Sequence, residues 1–449
     1  MTLKIFRPSG LLLLLLSVGL AWAGQAAAAP AAAGVRSVQE PALAEAVRRG
    51  IVSELQRLIR THYVFPEKRE QIASALERSY RAGRYRVGGI EAFSKAVNED
   101  LAKASHDKHL SIEFNPQEFA EKTAQRERSD YSGIIARIRR DNHGYAEQKI
   151  LPGNVRFVKV ANFRWVPDES GRAVEDAVRF LRGGDAVILD LRGNSGGDPR
   201  AVQYLISHFF ERDTELAGEF NGSTGEYMPL RTLSYLPAGR LTGKPLFVLM
   251  DGTTFSAGEE FAYEVLNYKL GELVGETTAG GANGSVRHPV APGFIASIPY
   301  LRLVHPLTKT NWEGAGVPPH HKVSSAKALD HAMMLALTRL REKAPEAARR
   351  EIDWALLATR AKHSPHRLTA HALAELVGTY GERQLFERNG ELLYQRNDRE
   401  PVRLLPLETD LFQMGEDESL RLRIVRSNGP VSAIELVTEE GVIASSPRS

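Results

Sequence analysis

The sequence has no cysteine among its 449 residues. That excludes disulfides, thiolate catalysis, cysteine-type zinc sites and a lipid anchor on cysteine. Long apolar runs are almost as scarce. The one clear case, Leu11 to Trp22, is too short for a membrane span. It follows Lys4 and Arg7 and runs into Ala21-Trp22-Ala23, a small-x-small cleavage pattern. This is the layout of a secretory signal peptide over residues 1–23. An Ala/Pro-rich spacer, expected to be disordered, follows over 24–40. An excess of one charge is also missing: 58 basic residues face 55 acidic ones, a net of +3. Losing Lys4 and Arg7 with the leader lowers the basic count by two and the net to +1. Nothing in that balance favours nucleic acid or an anionic membrane. The expectation is an exported protein, periplasmic or secreted, with no stable membrane insertion once the leader is removed. It must hold together by its core alone, which its size permits.

What is present reads as a folded chain, 43% hydrophobic and 25% charged. Val47, Ile51, Leu55, Leu58 and Ile59 recur at helical spacing. Phe65-Pro66 opens a second helix with the stripe Ile72, Leu76 and Tyr80. Ile90, Phe93, Val97 and Leu101 mark a third. Alternation in Leu110, Ile112 and Phe114 predicts a strand. Residues 41–118 are therefore expected to form a small helical domain. From about Tyr131 the rhythm is strand–helix–strand: VRFVKV, a helix over Arg172 to Leu181, AVILDL, the helix after Asp198-Pro199, LFVLM, a helix opened by Ser256, and ELVGE. Such alternation predicts a mainly parallel α/β core over 119–345. A helical connector (346–369) and short alternating segments typical of a small antiparallel β domain (370–449) complete the chain.

Two turns follow buried strands, where α/β folds place catalytic groups. The first is DLRGNSGG, from Asp190 to Gly197. Its glycines can turn backbone N–H groups toward an anion. It lacks the phosphate-binding pattern G-x-x-x-x-G-K-[ST], and G-x-G-x-x-G does not fit. An oxyanion hole and a plain strand–helix turn are the remaining readings. The second is DGTTFSAGEEFA, from Asp251 to Ala262. Ser256 and Glu259 have the S-x-x-E spacing of a capping box. The same layout of strand, sharp turn, serine and helix is that of a nucleophile elbow, with the Ala257 N–H near the oxygen. A nucleophilic serine needs a base. By residue type the candidates are His106, Lys108, His109, His288, His305, His320 and His321.

Taken together, DLRGNSGG, DGTTFSAGEEFA, GETTAGG and WEGAGVPP resemble, in order and spacing, the serine peptidase family of C-terminal-processing (tail-specific) proteases, the tricorn core and interphotoreceptor retinoid-binding protein. THYVFPEK followed by DKHLSIEF is similar to the retinoid-binding-protein branch. The likeness spans roughly residues 45 to 330. It implies a crotonase-like ββα peptidase core with Ser256 as nucleophile. Oxyanion donors would come from Ala257 and from Gly196 or Gly197. Tail-specific proteases use a lysine base after E-T-x-G, but Gly281 stands there, and Lys269 falls in the predicted helix. The tricorn-like variant takes a histidine from D-x-H and an acid from W-E-x-x-G-V-x-P. Here these are His109, in Asp107-Lys108-His109, and Glu313. Lys108 replaces the serine of that pattern. The span between Phe114 and Val160 is too short for a PDZ domain. The last 80 residues resemble, more weakly, a β domain appended to exported hydrolases.

The resemblance implies a serine-type peptidase acting on a peptide or protein substrate, with no cofactor or metal. Glu313 would orient groups or bind the substrate N-terminus. The rival expectation is a non-catalytic binding protein for retinoid- or lipid-like apolar ligands on the same scaffold, with Ser256 only a helix cap.

Overall fold

The structure is a computed structural model that describes residues 43–124, 132–364 and 366–449. The signal-peptide and spacer readings lie outside the described residues. Three helices come first: α1 (Glu45–His62), α2 (Arg69–Arg81) and α3 (Ile90–Ser105). Ile51, Leu55, Ile59, Ile72, Leu76, Phe93, Val97 and Leu101 are fully buried between them. Val47 stays 38% exposed, since it lies about 80° around the helix from Leu55. Strand β1 (Ser111–Phe114) leaves this unit, and helices α4 (Pro116–Ala124) and α5 (Ser132–Arg140) follow.

The α/β core begins with β2 (Tyr145–Leu151), β3 (Val155–Val160), α6 (Ser170–Arg182), β4 (Ala186–Asp190) and α7 (Pro199–Ser207). It continues through β5 (Glu215–Asn221), β6 (Tyr227–Arg231), β7 (Leu246–Met250), α8 (Ala257–Tyr268) and β8 (Glu272–Gly275). Then come β9 (Asn283–Ala291), β10 (Phe294–Val304), β11 (His321–Lys322) and α9 (Ala328–Lys343). The main sheet has the order β11-β8-β7-β4-β3-β2. Its pairings are parallel except for β2 against β3. AVILD and LFVLM are buried on both faces, as unbroken apolar strands of a covered parallel sheet should be. Val187, Leu189, Val248 and Met250 pack with the α6–α8 side chains Val178, Leu205 and Phe261. The alternate residues Ile188, Phe247 and Leu249 pack on Ala332 and Ala336 of α9.

A second, antiparallel sheet runs β1-β10-β5-β6, with β9 also paired to β10. Through it the N-terminal helices pack on β10 of the core. Ser111 pairs with Ser297 and Phe114 with Phe294, while Phe294, Ala296 and Ile298 lie in the cluster of Ile51 and Phe93. That docking fixes where the loop before β1, which carries His109, meets the core.

The segment expected as a helical connector holds α10 (Glu346–His363), which packs on the core. Its Ile352, Ala355 and Leu356 join the cluster under the main sheet. A short helix, α11 (Ala370–Leu376), leads into an eight-stranded antiparallel meander between Gly378 and Pro447. Tyr380, Leu385, Phe412 and Leu422 fill its core. It is tied to α10 by Arg421, whose guanidinium lies 3.5 Å above the Trp354 ring. No described helix is long and apolar enough to cross a membrane.

Candidate active site

Strands β4 and β7 are parallel neighbours, so their C-terminal ends open side by side. The turn after β4 is stitched to the turn after β7. Leu191 N–H donates to Leu249 O at 2.8 Å, Phe255 N–H to Asn194 O at 2.9 Å, and Thr254 Oγ1 to Leu191 O at 2.9 Å. Asn194 is fully buried; its Oδ1 accepts Gly196 N–H at 2.8 Å and its Nδ2 donates to Val160 O at 2.7 Å. The glycine turn is thereby pressed against the start of α8. A Cβ on Gly196 would lie 2.7 Å from Ser256 Cβ and 3.1 Å from Ala257 N.

Ser256 stands at the corner between β7 and α8 with φ 53° and ψ −119°. The capping box expected there is present, and Ser256 N–H donates to Glu259 Oε2 at 2.9 Å. An ordinary cap residue, however, adopts extended backbone. A non-glycine residue held at positive φ carries strain of about 1–3 kcal/mol, the kind found at nucleophile elbows. Next to it, neither Ala257 N–H nor Gly197 N–H is taken up by a protein acceptor among the described residues. The Gly196 amide, by contrast, is occupied by Asn194.

His109 reaches this corner from the N-terminal unit. Its ring stacks on Phe255, the residue before Ser256, with centroids 4.6 Å apart and planes at 27°. Ser256 and His109 line the same pocket, of about 330 Å³, together with Gly197, Ala257 and Trp312. No hydrogen bond joins the two. Behind the ring, Asp107 is buried. It accepts from His109 N–H at 2.9 Å, Tyr63 OH at 3.2 Å and Asn283 Nδ2 at 2.9 Å. His109 Nδ1 is buried without a hydrogen bond, 4.0 Å from Asp107 Oδ1. Glu313 closes the group. Its Oε2 accepts Ala282 N–H at 2.5 Å and Asn283 N–H at 3.2 Å, while its Oε1 is buried and unpartnered. Side-chain donor atoms of Asp107, His109 and Glu313 all lie within 4.8 Å of one another. That is a metal-capable trio by composition, yet Asp107 already accepts from three donors and Glu313 from backbone amides.

The electrostatics follow from burial. Desolvation lowers the His109 pKa, with Asp107 opposing it. Glu313 is pushed up to about 7, by burial first and then by the Asp107 charge, while amides of Ala282, Lys108 and Asn283 pull the other way. A neutral imidazole is thus available at neutral pH.

The other base candidates are engaged elsewhere. His106 is the left-handed residue that caps α3. Lys108 turns its Nζ to Ala279 O. His288 stacks on His62, His305 is buried 3.4 Å from Glu264, His320 Nδ1 accepts Leu273 N–H, and His321 pairs with Glu272 at 2.5 Å. Lys269 sits just past the far end of α8, about 20 Å along the helix from Ser256. A recess of about 410 Å³ between α10 and the C-terminal sheet has no histidine in its wall.

Two residues were undervalued by sequence reasoning. Glu259 is fully buried and accepts from Thr278 Oγ1 at 2.5 Å, Gly280 N at 2.6 Å and Gly281 N at 2.8 Å, besides Ser256 N. It welds the elbow to the loop that carries Gly281. Asn194, lying in the glycine-rich motif, orients that turn; an amide side chain between glycines was the available signal.

A sequence profile of peptidase family S41 matches residues 154–323, and one for the N-terminal domain of S41 peptidases in eukaryotic IRBP matches 41–146. The chain belongs to peptidase family S41. This S41 protein is a hydrolase of the serine-protease type, and its substrate is a peptide or protein. Among solved structures, it is similar to a photosystem II D1 C-terminal processing protease, with 15% identity, 62% of this chain and 93% of that one covered, and a TM-score of 0.41. A lipoprotein from Streptococcus agalactiae gives 14%, 65%, 96% and 0.42. The tricorn protease gives 12%, 66%, 37% and 0.44. The S41 core bears the mixed α/β fold, preceded by the helical domain and followed by the antiparallel β domain.

Proposed function

We propose that the protein is an exported serine peptidase in which Ser256 Oγ attacks the peptide carbonyl and His109 accepts its proton. Glu313, grouped with Asp107 beside the His109 ring, stabilises the imidazolium and orients the ring. Ala257 N–H and Gly197 N–H receive the oxyanion, each contributing about 3 kcal/mol to the barrier lowering. Gly196 shapes the turn, its own amide being held by Asn194. His109 then returns the proton to the leaving amine, and water releases the acyl group from Ser256. Export rests on the leader-like sequence at residues 1–23. The C-terminal β domain buttresses α10.

The observation that supports this reading above the others is the positive-φ backbone of Ser256 within a pocket shared with His109. A serine that served only as a cap would have no need of that strain. The alternative of an apolar-ligand carrier is weakened by two carboxylates, Glu219 and Glu260, in the pocket wall. Labelling with a fluorophosphonate probe tests the proposal. Wild type should label at Ser256, and Ser256→Ala and His109→Ala should not. A folded wild type that never labels would sink it.

A further inference from the structure

The pocket in front of Ser256 has an acidic wall that hydrolysis as described does not use. Glu260, in the first turn of α8, is 2% exposed and lines the pocket. Its carboxylate has no hydrogen-bond or ion-pair partner among the described residues. Glu219, on β5, lines the same pocket, and its carboxylate is equally without a partner. The nearby charges give no relief. Asp198 is committed to Arg200 at 2.5 Å. Glu264, one turn further along α8, accepts Ala217 N–H at 2.8 Å and faces His305. Arg302, on the strand next to Glu219, lays its guanidinium over the rings of Phe220 and Phe65. The rest of the wall includes Leu301, Leu303 and Trp312.

Two carboxylates without a counter-ion, Glu260 buried and Glu219 half-buried in the wall of a half-open pocket, are unfavourable in the free protein. Burial and the charges of Glu264, Glu219 and Asp198 hold the Glu260 carboxyl well above the usual range, and burial with Asp198 raises Glu219. A ligand cation between them would supply what the protein does not. It would also displace protons from the pair as it bound. The apolar neighbours suit a long side chain that buries its methylenes and carries its charge at the tip.

We infer that this wall is the specificity subsite of the peptidase: Glu260 and Glu219 receive the ammonium of a substrate lysine or the guanidinium of an arginine beside the bond that Ser256 attacks, with Leu301, Leu303 and Trp312 against the aliphatic stem. The inference rests on the serine-peptidase reading above, and it names the substrate class as peptides cut next to a basic residue.

The test uses N-acetylated peptides that differ at one position, which holds lysine, arginine, norleucine or glutamate and is moved across the cleavage site. Cleavage sites and kcat/KM are read by mass spectrometry. Wild type should favour lysine or arginine over norleucine at one subsite by about thirtyfold or more, and should disfavour glutamate there. Glu260→Gln and Glu219→Gln, isosteric and on different elements, should each cut the lysine-to-norleucine ratio by about tenfold, with melting temperatures showing that both fold. Equal cleavage of lysine and norleucine peptides by an enzyme whose Ser256 labels overturns the inference and leaves the peptidase reading intact. So does a preference that survives in both variants or that needs a free α-amino group. Should Ser256 fail to label, the peptidase reading falls by itself. Calorimetric titration with N-acetyl-arginine amide then decides the acidic wall: binding that both variants weaken supports it, and absence of binding overturns it.

Discussion

Gly281 and His109 share one space. A Cβ on Gly281 would come within 2.8 Å of His109 Cε1 and 2.1 Å of the Phe255 ring. At the position where a Ser–Lys peptidase brings in its lysine, the imidazole is already there. Any side chain at 281 must therefore displace the ring. Gly281→Ala should reduce Ser256 labelling and kcat/KM by about a hundredfold or more, while the protein stays folded. Gly281→Lys in a His109→Ala background should restore nothing. Recovered turnover in that double variant would mean that the lysine mechanism remains open to this scaffold.

The glycine turn offers a matched pair of substitutions. Gly193 has φ 75° with nothing within 4 Å of a built Cβ, so Gly193→Ala should cost only backbone strain, about 1–2 kcal/mol, and leave labelling near normal. Gly196→Ala also has positive φ but meets Ser256 and the Ala257 amide. It should abolish turnover. Urea denaturation together with labelling rates separates the two effects, and equal loss of activity in both variants would contradict the assignment.

In the proposed mechanism Glu313 should set the acid limb of activity. Its pKa of about 7 lies above the ordinary carboxyl value of 4.5, so the fold favours the protonated form. Its stabilising contribution is complete below about pH 4.5 and is lost as pH rises through 7, a swing of about 3 kcal/mol at most. Activity runs the other way, since the imidazolium needs the carboxylate. The depressed pKa of His109 keeps that group from imposing a limb near 7. In Glu313→Gln, kcat should fall, the limb near pH 7 should vanish and stability should become flatter between pH 5 and 7. A pH–rate profile that keeps its limb in this variant assigns the titration to another group.

Asp107 acts on Glu313 through charge. It is the second cause of the raised Glu313 pKa, after burial. Asp107→Asn keeps the shape and removes that charge, so the acid limb should move to lower pH. The His109 N–H bond to the side-chain oxygen can persist. A limb that stays at its wild-type position would show that burial alone sets it.

Glu259 is a structural weld. Glu259→Ala would strand the amides of Ser256, Gly280 and Gly281, costing about 3–5 kcal/mol in chemical denaturation and loosening the elbow. A loss below about 1 kcal/mol would mean that water replaces the carboxylate without strain.

Much of this was legible along the chain. AVILD and LFVLM announced covered parallel strands because their burial on both faces leaves no polar alternation to misread. The two glycine-rich turns were visible because each interrupts an apolar strand with residues suited to positive φ. Other features were not. The role of Glu259 reads as a cap at short range, since the loop it binds lies 19 to 22 residues further on. That the Gly196 amide is taken up and the Gly197 amide is left open depends on the Asn194 side chain, which no spacing rule reveals. The acidic wall combines Glu219 from β5 with Glu260 from α8, and neither position stands out in its own neighbourhood.

The elements and the strand–turn–serine–helix corner at Ser256 could be read along the chain: local periodicity and turn chemistry act between residues close in sequence. The sequence also supplied a short roster of possible bases. That His109, of that roster, lines one pocket with Ser256 follows from long-range packing, because β1 pairs with β10 and carries the loop before it, with His109, onto Phe255. That pairing spans roughly 180 residues, and its register comes from apolar packing of the N-terminal helices on Phe294 and its neighbours. Contacts closed over such distances leave no local signature.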